Sequence, residues 1–312
     1  MIYDVIIIGA GAAGCSSAIY ATRYALKTLL VGGSLPGGLI TEALEVENYP
    51  GFLKIGGREL AHNFLEQAKS LGAEFVSDVV TKVCNVESFR FSVGTAGGKT
   101  YFSKSVILAM GTTHKRLGVM GEKEFEGRGV SYCATCDGPF FRGRTVAVVG
   151  GGNSAVEGAQ DLAVNAERVY IIYRSELKAA PLYIENLKKD KKIVEVPNTN
   201  IIEIGGEKFV QYVLLDKPFN GEKKLMVDGV FVQAGYAPNN ELAKELNCEL
   251  TDYGYVKVNE AMAASVGGVF CAGDLNNGSN QLHQQVTSAA EGAIAAQSVF
   301  RYLRGLETVI KS

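Results

Sequence analysis

The sequence predicts an α/β protein built from two Rossmann-like nucleotide-binding domains of three-layer (ββα/βα) type, the second inserted into the first. Three observations predict it. An apolar strand runs into Gly9-x-Gly11-x-x-Gly14 within "DVIIIGAGAAGCSSAIYATRYALKTLLVGG", residues 4–33. The same pattern returns 141 residues later, as Gly150-x-Gly152-x-x-Ala155 in "RTVAVVGGGNSAVEGAQDLAVNAERVYIIYRS", residues 144–175. Each unit is followed by β-formers arranged around a Gly-containing turn, residues 89–112 and 209–235.

In the first unit, strand, glycine turn, helix of small residues and second strand "TLLV" follow in the order that a dinucleotide fingerprint requires. Gly9 permits the tight turn, Gly11 lets the backbone approach a pyrophosphate, and Gly14 lets the helix pack on the strand. The helix start then offers unpaired N–H groups and a positive dipole to phosphates. No Asp or Glu ends the second strand, where Gly32 and Gly33 stand, so ribose hydroxyls must be held otherwise. Two such units in one chain imply two dinucleotides, most simply a flavin and a nicotinamide that exchange a hydride. The hairpin-like stretches each end in an apolar strand and a Gly, and they read as chain crossings between domains near residues 111–118 and 234–241. Near the end, "GGVFCAGDLNN" (267–277) is another apolar strand, closing on Gly273-Asp274, and a helical run from Thr287 to Leu303 follows. An Asp at that point serves equally as a cap or as a ligand.

At 312 residues the chain is long enough for two domains, and with 47% apolar and 21% charged residues it is globular. A net charge of −2 with no run of like charge leaves no nucleic-acid footprint and no polybasic membrane patch. The N-terminal apolar run is interrupted by Asp4 and is too short for a signal peptide or a spanning helix, so a cytoplasmic location is expected. Four of the six cysteines, Cys15, Cys84, Cys248 and Cys271, stand singly in apolar surroundings and read as core residues. Cys133 and Cys136, in "SYCATCDGPFF", differ. A zinc site needs about four ligands, yet no second C-x-x-C exists and His62, His114 and His283 are not spaced as partners, so no metal is expected. A passive disulfide is disfavoured in a reducing compartment. The remaining reading is a catalytic dithiol, because two intervening residues keep the sulfurs within bonding reach and the motif lowers one thiol's pKa. Asp137 directly after it suits a proton donor or acceptor, with a helix N-cap as the alternative.

Taken together, the N-terminal G-A-G-A-A-G, "EVENYPG" (45–51), "GRGVSYCATCDGPFF" (127–141), "GGGNSA" and "VFCAGD" (269–274) resemble the low-molecular-weight thioredoxin reductases over essentially the whole chain. The resemblance implies an FAD domain made from residues 1–113 and 241–312, with an NAD(P)H domain carrying the redox motif, 114–240, inserted between. It implies flavin-side roles for Gly9, Gly11, Gly14, Gly37, Gly38, Asn48, Gly111, Asp274 and Gln285. It implies nicotinamide-side roles for Gly150, Gly152, Asn153, Ser154, Arg174, Ser175 and Lys178. Cys136 would be the flavin-proximal sulfur and Cys133 the thiol that attacks the disulfide of thioredoxin or a thioredoxin-like protein. The family is homodimeric and rotates one domain against the other. A ferredoxin–NADP reductase of similar fold lacks the C-x-x-C, whereas a flavin-binding redox sensor without turnover would keep it.

The expected donor is NADPH, but the segment that would select it departs from the family. Where H-R-R and a further Arg are usual, this chain has Tyr173-Arg174-Ser175 and Ala179. Arg174, Ser175 and Lys178 offer a substitute cradle for a 2′-phosphate, while Glu176 opposes one and suits the free ribose of NADH. NADH, ferredoxin or a deazaflavin therefore remain alternative donors. Leu39 stands where Gln is usual after Gly37-Gly38, and Gln284 where an Arg usually precedes Gln285.

Overall fold

The computed structural model describes residues 1–33, 36–43, 45–86 and 90–305. Phe89, the first residue of the earlier hairpin-like stretch, and the C-terminal 306–312 of the expected FAD domain lie outside the described residues. The chain divides into two compact units, Met1–Thr113 with Pro238–Ser312, and His114–Ala237.

From the N-terminus, β1 (Ile2–Ile8), α1 (Ala12–Arg23) and β2 (Thr28–Gly32) form the first βαβ unit. Next come α2 (Gly57–Ser70), β3 (Glu74–Ser77), β4 (Val80–Val86), β5 (Arg90–Thr95) and β6 (Thr100–Leu108). After β7 (Thr112–His114) and β8 (Val130–Ser131) stand the four-residue helix α3 (Ala134–Asp137), β9 (Thr145–Val149), α4 (Asn153–Asn165) and β10 (Arg168–Tyr173). The second unit continues through α5 (Pro181–Lys189), β11 (Ile193–Pro197), β12 (Ile201–Gly206), β13 (Val210–Phe219), β14 (Glu222–Met226) and β15 (Gly229–Val232). Finally β16 (Tyr236–Pro238) leads back to α6 (Glu241–Glu245), β17 (Val269–Cys271) and α7 (Gln285–Leu303).

The sheet of the first unit runs β3-β2-β1-β6-β5-β4, parallel from β3 to β6 and antiparallel from β6 to β4. β6 changes partner along its length: Thr100–Ser103 pair with β5, and Val106–Leu108 pair in parallel with β17. Both faces of β1 are covered. Val5 and Ile7 pack with α1 and α7 residues such as Ala18 and Ala295. Ile6 and Ile8 pack on the opposite side with Val83, Phe91 and Val93. A strand buried on both faces requires a continuous apolar run, which is what "VIII" provides, and each fully buried Ile contributes about 1.5–3 kcal/mol. The small residues of α1 allow α7 to approach: Ser16 and Ser17 donate to the carbonyls of Ala289 and Gly292 at 2.6 and 3.0 Å.

The second unit holds a parallel sheet, β11-β10-β9-β15-β8, and an antiparallel one, β12-β13-β14. Both units are therefore Rossmann-like, and the second interrupts the first in sequence.

Candidate active site

In the first unit, the turns at the C-terminal ends of β1, β2, β6 and β17 surround a cleft, which is where parallel α/β sheets hold ligands. Gly9, Gly11, Gly37, Gly38, Gly111, Asp274 and Gln285 all line it. Gly9 has φ +108°, and a Cβ on Gly14 would overlap the Gly9 carbonyl, so both must be glycine for the turn to close. Gly11 caps α1 without a side-chain bond and no acid stands in the first turn, which leaves the helix's first N–H groups available for an anion. Ser288 donates to Asp274 Oδ1 at 2.8 Å. The Gln285 side-chain oxygen is buried with no protein partner.

Asn48 lies in a neighbouring depression with Gln284 and His283. Its amide donates to Gln284 Oε1 at 3.0 Å, and Gln284 caps α7 in a reciprocal capping box with Thr287. The residue that departs from the family pattern thus has local work: it closes the helix end and ties down the Asn48 segment.

In the second unit Cys133 and Cys136 are joined as a disulfide, their Cα atoms 5.3 Å apart. Cys133 is the N-cap of α3, and the Cys136 N–H donates to its sulfur at 3.1 Å. Ala134 is buried against Val156 and Ala159 of α4, which seats the short helix while both sulfurs stay half-buried. Asp137 is the last residue of α3, and its side chain caps nothing. It lines a cleft together with Ser131, Phe140, Phe141, Phe209 and Arg144. Phe140 and Phe209 are 79% and 63% exposed, an unusual display of aromatic surface on the cleft that Asp137 lines.

The sequence reading did not single out Glu122. Its buried carboxyl accepts from the N–H groups of Leu117 and Gly118 at 2.8 and 2.7 Å and from the Tyr132 hydroxyl at 2.9 Å. Tyr132 precedes Cys133, and burial followed by the Glu122 carboxyl pushes its hydroxyl well above the usual tyrosine range. A buried acid four residues after a glycine turn has no spacing signature, so only the fold reveals it.

Of the other four cysteines, Cys15, Cys248 and Cys271 are buried and Cys84, on β4, is only partly covered. Burial pushes the Cys15 thiol up to about 12 and the Cys248 thiol up to about 11, and it raises Cys271 still more clearly. Among the described residues no group of three or more His, Cys, Asp or Glu is placed to hold a metal ion, and no helix is long and apolar enough to cross a membrane.

The second glycine turn is more open. Gly152, Asn153 and Ser154 are exposed at the start of α4. The segment after β10 folds against it: the Lys178 N–H donates to the Gly151 carbonyl at 2.6 Å, and the Ala180 N–H to Asn153 Oδ1 at 2.8 Å. This brings the loop carrying Lys178 beside Asn153 at the start of α4, with the exposed Arg174 and Ser175 just after β10. Tyr173 is only 8% exposed and its hydroxyl donates to Glu195 Oε2 at 2.6 Å, so it belongs to the core and not to a phosphate pocket.

A thioredoxin reductase of Listeria monocytogenes is 40% identical over 315 residues, covering 100% of this chain and 97% of that protein. A Bacillus subtilis thioredoxin reductase is 40% identical over 314 residues, covering 100% and 98%. The crystal structure of Lactococcus lactis thioredoxin reductase superposes with a TM-score of 0.88 at 34% identity, over 97% of this chain and 100% of that one. Residues 3–293 match the family described as pyridine nucleotide-disulphide oxidoreductase, and the chain belongs to that family.

Proposed function

We propose that the chain is a thioredoxin-disulfide reductase that carries electrons from NADPH through FAD and the Cys133–Cys136 pair to thioredoxin or a thioredoxin-like protein. The observation that carries this reading is the half-buried Cys133–Cys136 disulfide, capped into a short helix beside Asp137 and an aromatic-walled cleft.

The first unit suits FAD. Gly9 and Gly11 with the uncapped start of α1 would take the pyrophosphate, while Gly14 lets the helix sit close to the turn. Asp274 and the unpartnered Gln285 oxygen supply polar contacts, and Gly37, Gly38 and Gly111 supply close backbone. Asn48, held by Gln284, borders the same region. When bound, FAD supplies the two-electron step between a nicotinamide and a disulfide. In the second unit, Gly150, Gly152, Asn153 and Ser154 would receive the nicotinamide dinucleotide at the start of α4, with Arg174, Ser175 and Lys178 for the 2′-phosphate.

The chain's own residues then perform thiol–disulfide exchange. With the pair reduced, the Cys133 thiolate attacks one sulfur of the substrate disulfide and the other substrate sulfur leaves as a thiol after taking a proton. Cys136 then attacks Cys133, its sulfur–sulfur bond reforms, and the second substrate thiol departs. Asp137, directly after Cys136 in the chain, would hold and move the proton. Phe140 and Phe209 offer a protein substrate apolar surface beside this chemistry.

The test is steady-state reduction of thioredoxin disulfide with NADPH in excess. Continued turnover is expected. A single round of reduction that then stops would identify a redox sensor instead.

A further inference from the structure

Glu291 sits on α7 at 4% exposure, one turn after Ser288. One of its carboxyl oxygens, Oε2, accepts two hydrogen bonds: from the Gly273 N–H at 2.7 Å and from the Asn276 side-chain amide at 2.8 Å. Asn276, 1% exposed, returns to the Gly273 carbonyl at 2.9 Å through the same amide and accepts from the Gly278 N–H at 2.5 Å. The turn that follows β17 is thus wound around these two buried side chains. Gly273 holds φ +82° and lies so close to α1 that a Cβ there would come within 2.9 Å of the Ala13 Cβ. The next residue, Asp274, receives the Ser288 hydroxyl and lines the cleft.

We propose that Glu291 is a positioning residue for the flavin. By fixing the Gly273 N–H it fixes the backbone from which Asp274 enters the cleft, and it holds that backbone against the start of α1. α7 therefore acts twice on one turn, through Ser288 on the Asp274 carboxyl and through Glu291 on the peptide before it. This inference rests on the reading that the first unit binds FAD. A buried donor that loses its acceptor is costly, and here one substitution strands two donors.

The test is FAD affinity of the full-length protein, measured by flavin fluorescence during reconstitution of stripped protein. Glu291→Leu is expected to weaken binding about tenfold or more, while Glu291→Gln, which retains an acceptor oxygen, stays within about threefold of the parent. Ala295→Gly, on the same helix but in the core, controls for lost stability and is expected to leave affinity unchanged. Should Glu291→Leu fail to fold, Asn276→Ala removes the group bracketing the same oxygen and is expected to weaken binding about threefold or more. Unchanged affinity in Glu291→Leu or Asn276→Ala, or an equal loss in Ala295→Gly, overturns the proposal. Parent protein that binds no FAD at all overturns the flavin reading itself, and the positioning role with it.

Discussion

The two glycine turns share one local pattern and stand in different surroundings. At Gly9–Gly14 the turn is closed in by the loops after β2, β6 and β17 and by α7, with Asp274 and Gln285 facing the cleft. At Gly150–Ala155 the helix start is exposed, and its main neighbour is the Arg174–Ala180 segment, hydrogen-bonded to Gly151 and Asn153. The third motif position differs accordingly: a Cβ on Gly14 has no room beneath the Gly9 carbonyl, whereas Ala155 sits buried without displacing Gly150. The lesson is that a fingerprint specifies a βαβ turn, while the elements brought to it from far along the chain specify which ligand it takes and how firmly. On the proposed reading, the walled-in turn would hold a resident cofactor and the exposed one a cofactor that comes and goes.

The sharpest way to break this division of labour is to cut the chain of electron transfer after the flavin. Cys133→Ser is expected to retain bound FAD that NADPH still reduces, while thioredoxin turnover falls to background in a steady-state assay. Substantial remaining turnover would remove Cys133 from the role assigned to it. The next effect concerns the turns themselves. Gly14→Ala is expected to destabilise the first unit by about 3 kcal/mol or more through overlap with backbone, read as loss of FAD and a lowered Tm. Ala155→Gly is expected to cost about 1 kcal/mol, and equal effects at both positions would erase the contrast. At the open turn, Arg174→Ala is expected to raise KM for NADPH about tenfold, the value of a charge-assisted hydrogen bond, with KM for NADH unchanged. An equal rise for both nucleotides would show that Arg174 does not read the 2′-phosphate. The smallest effect is that of Phe140→Ala, expected to raise KM for thioredoxin about threefold to tenfold with kcat preserved; unchanged kinetics would place the protein substrate elsewhere.

Much of this was legible in the residues. The βαβ units, the strand ending in Gly273-Asp274 and the helix after it followed from apolar runs and glycine spacing, because those signals are local. The C-x-x-C pair was legible for the same reason. What the sequence hid was long-range. Tyr173 stood out as a departure in the segment that would select the donor, yet its burial and bond to Glu195 make it a core residue. Gln284 stood out only as a departure from the family's Arg, yet it caps α7 and holds Asn48, a residue 236 positions away. Glu122 and Glu291 drew no notice, because a buried acid is identified by the donors that the fold brings to it, and those come from turns with no fixed spacing to it.

The relay from nucleotide through flavin to the Cys133–Cys136 disulfide is tested most directly by anaerobic titration of the FAD-loaded protein with NADPH, following flavin absorbance. The account predicts that two equivalents of NADPH are consumed per flavin, one for the flavin and one for the disulfide, and that the Cys133→Ser variant consumes one. Bleaching by dithionite but by neither NADPH nor NADH, or a single equivalent in the parent protein, would contradict it.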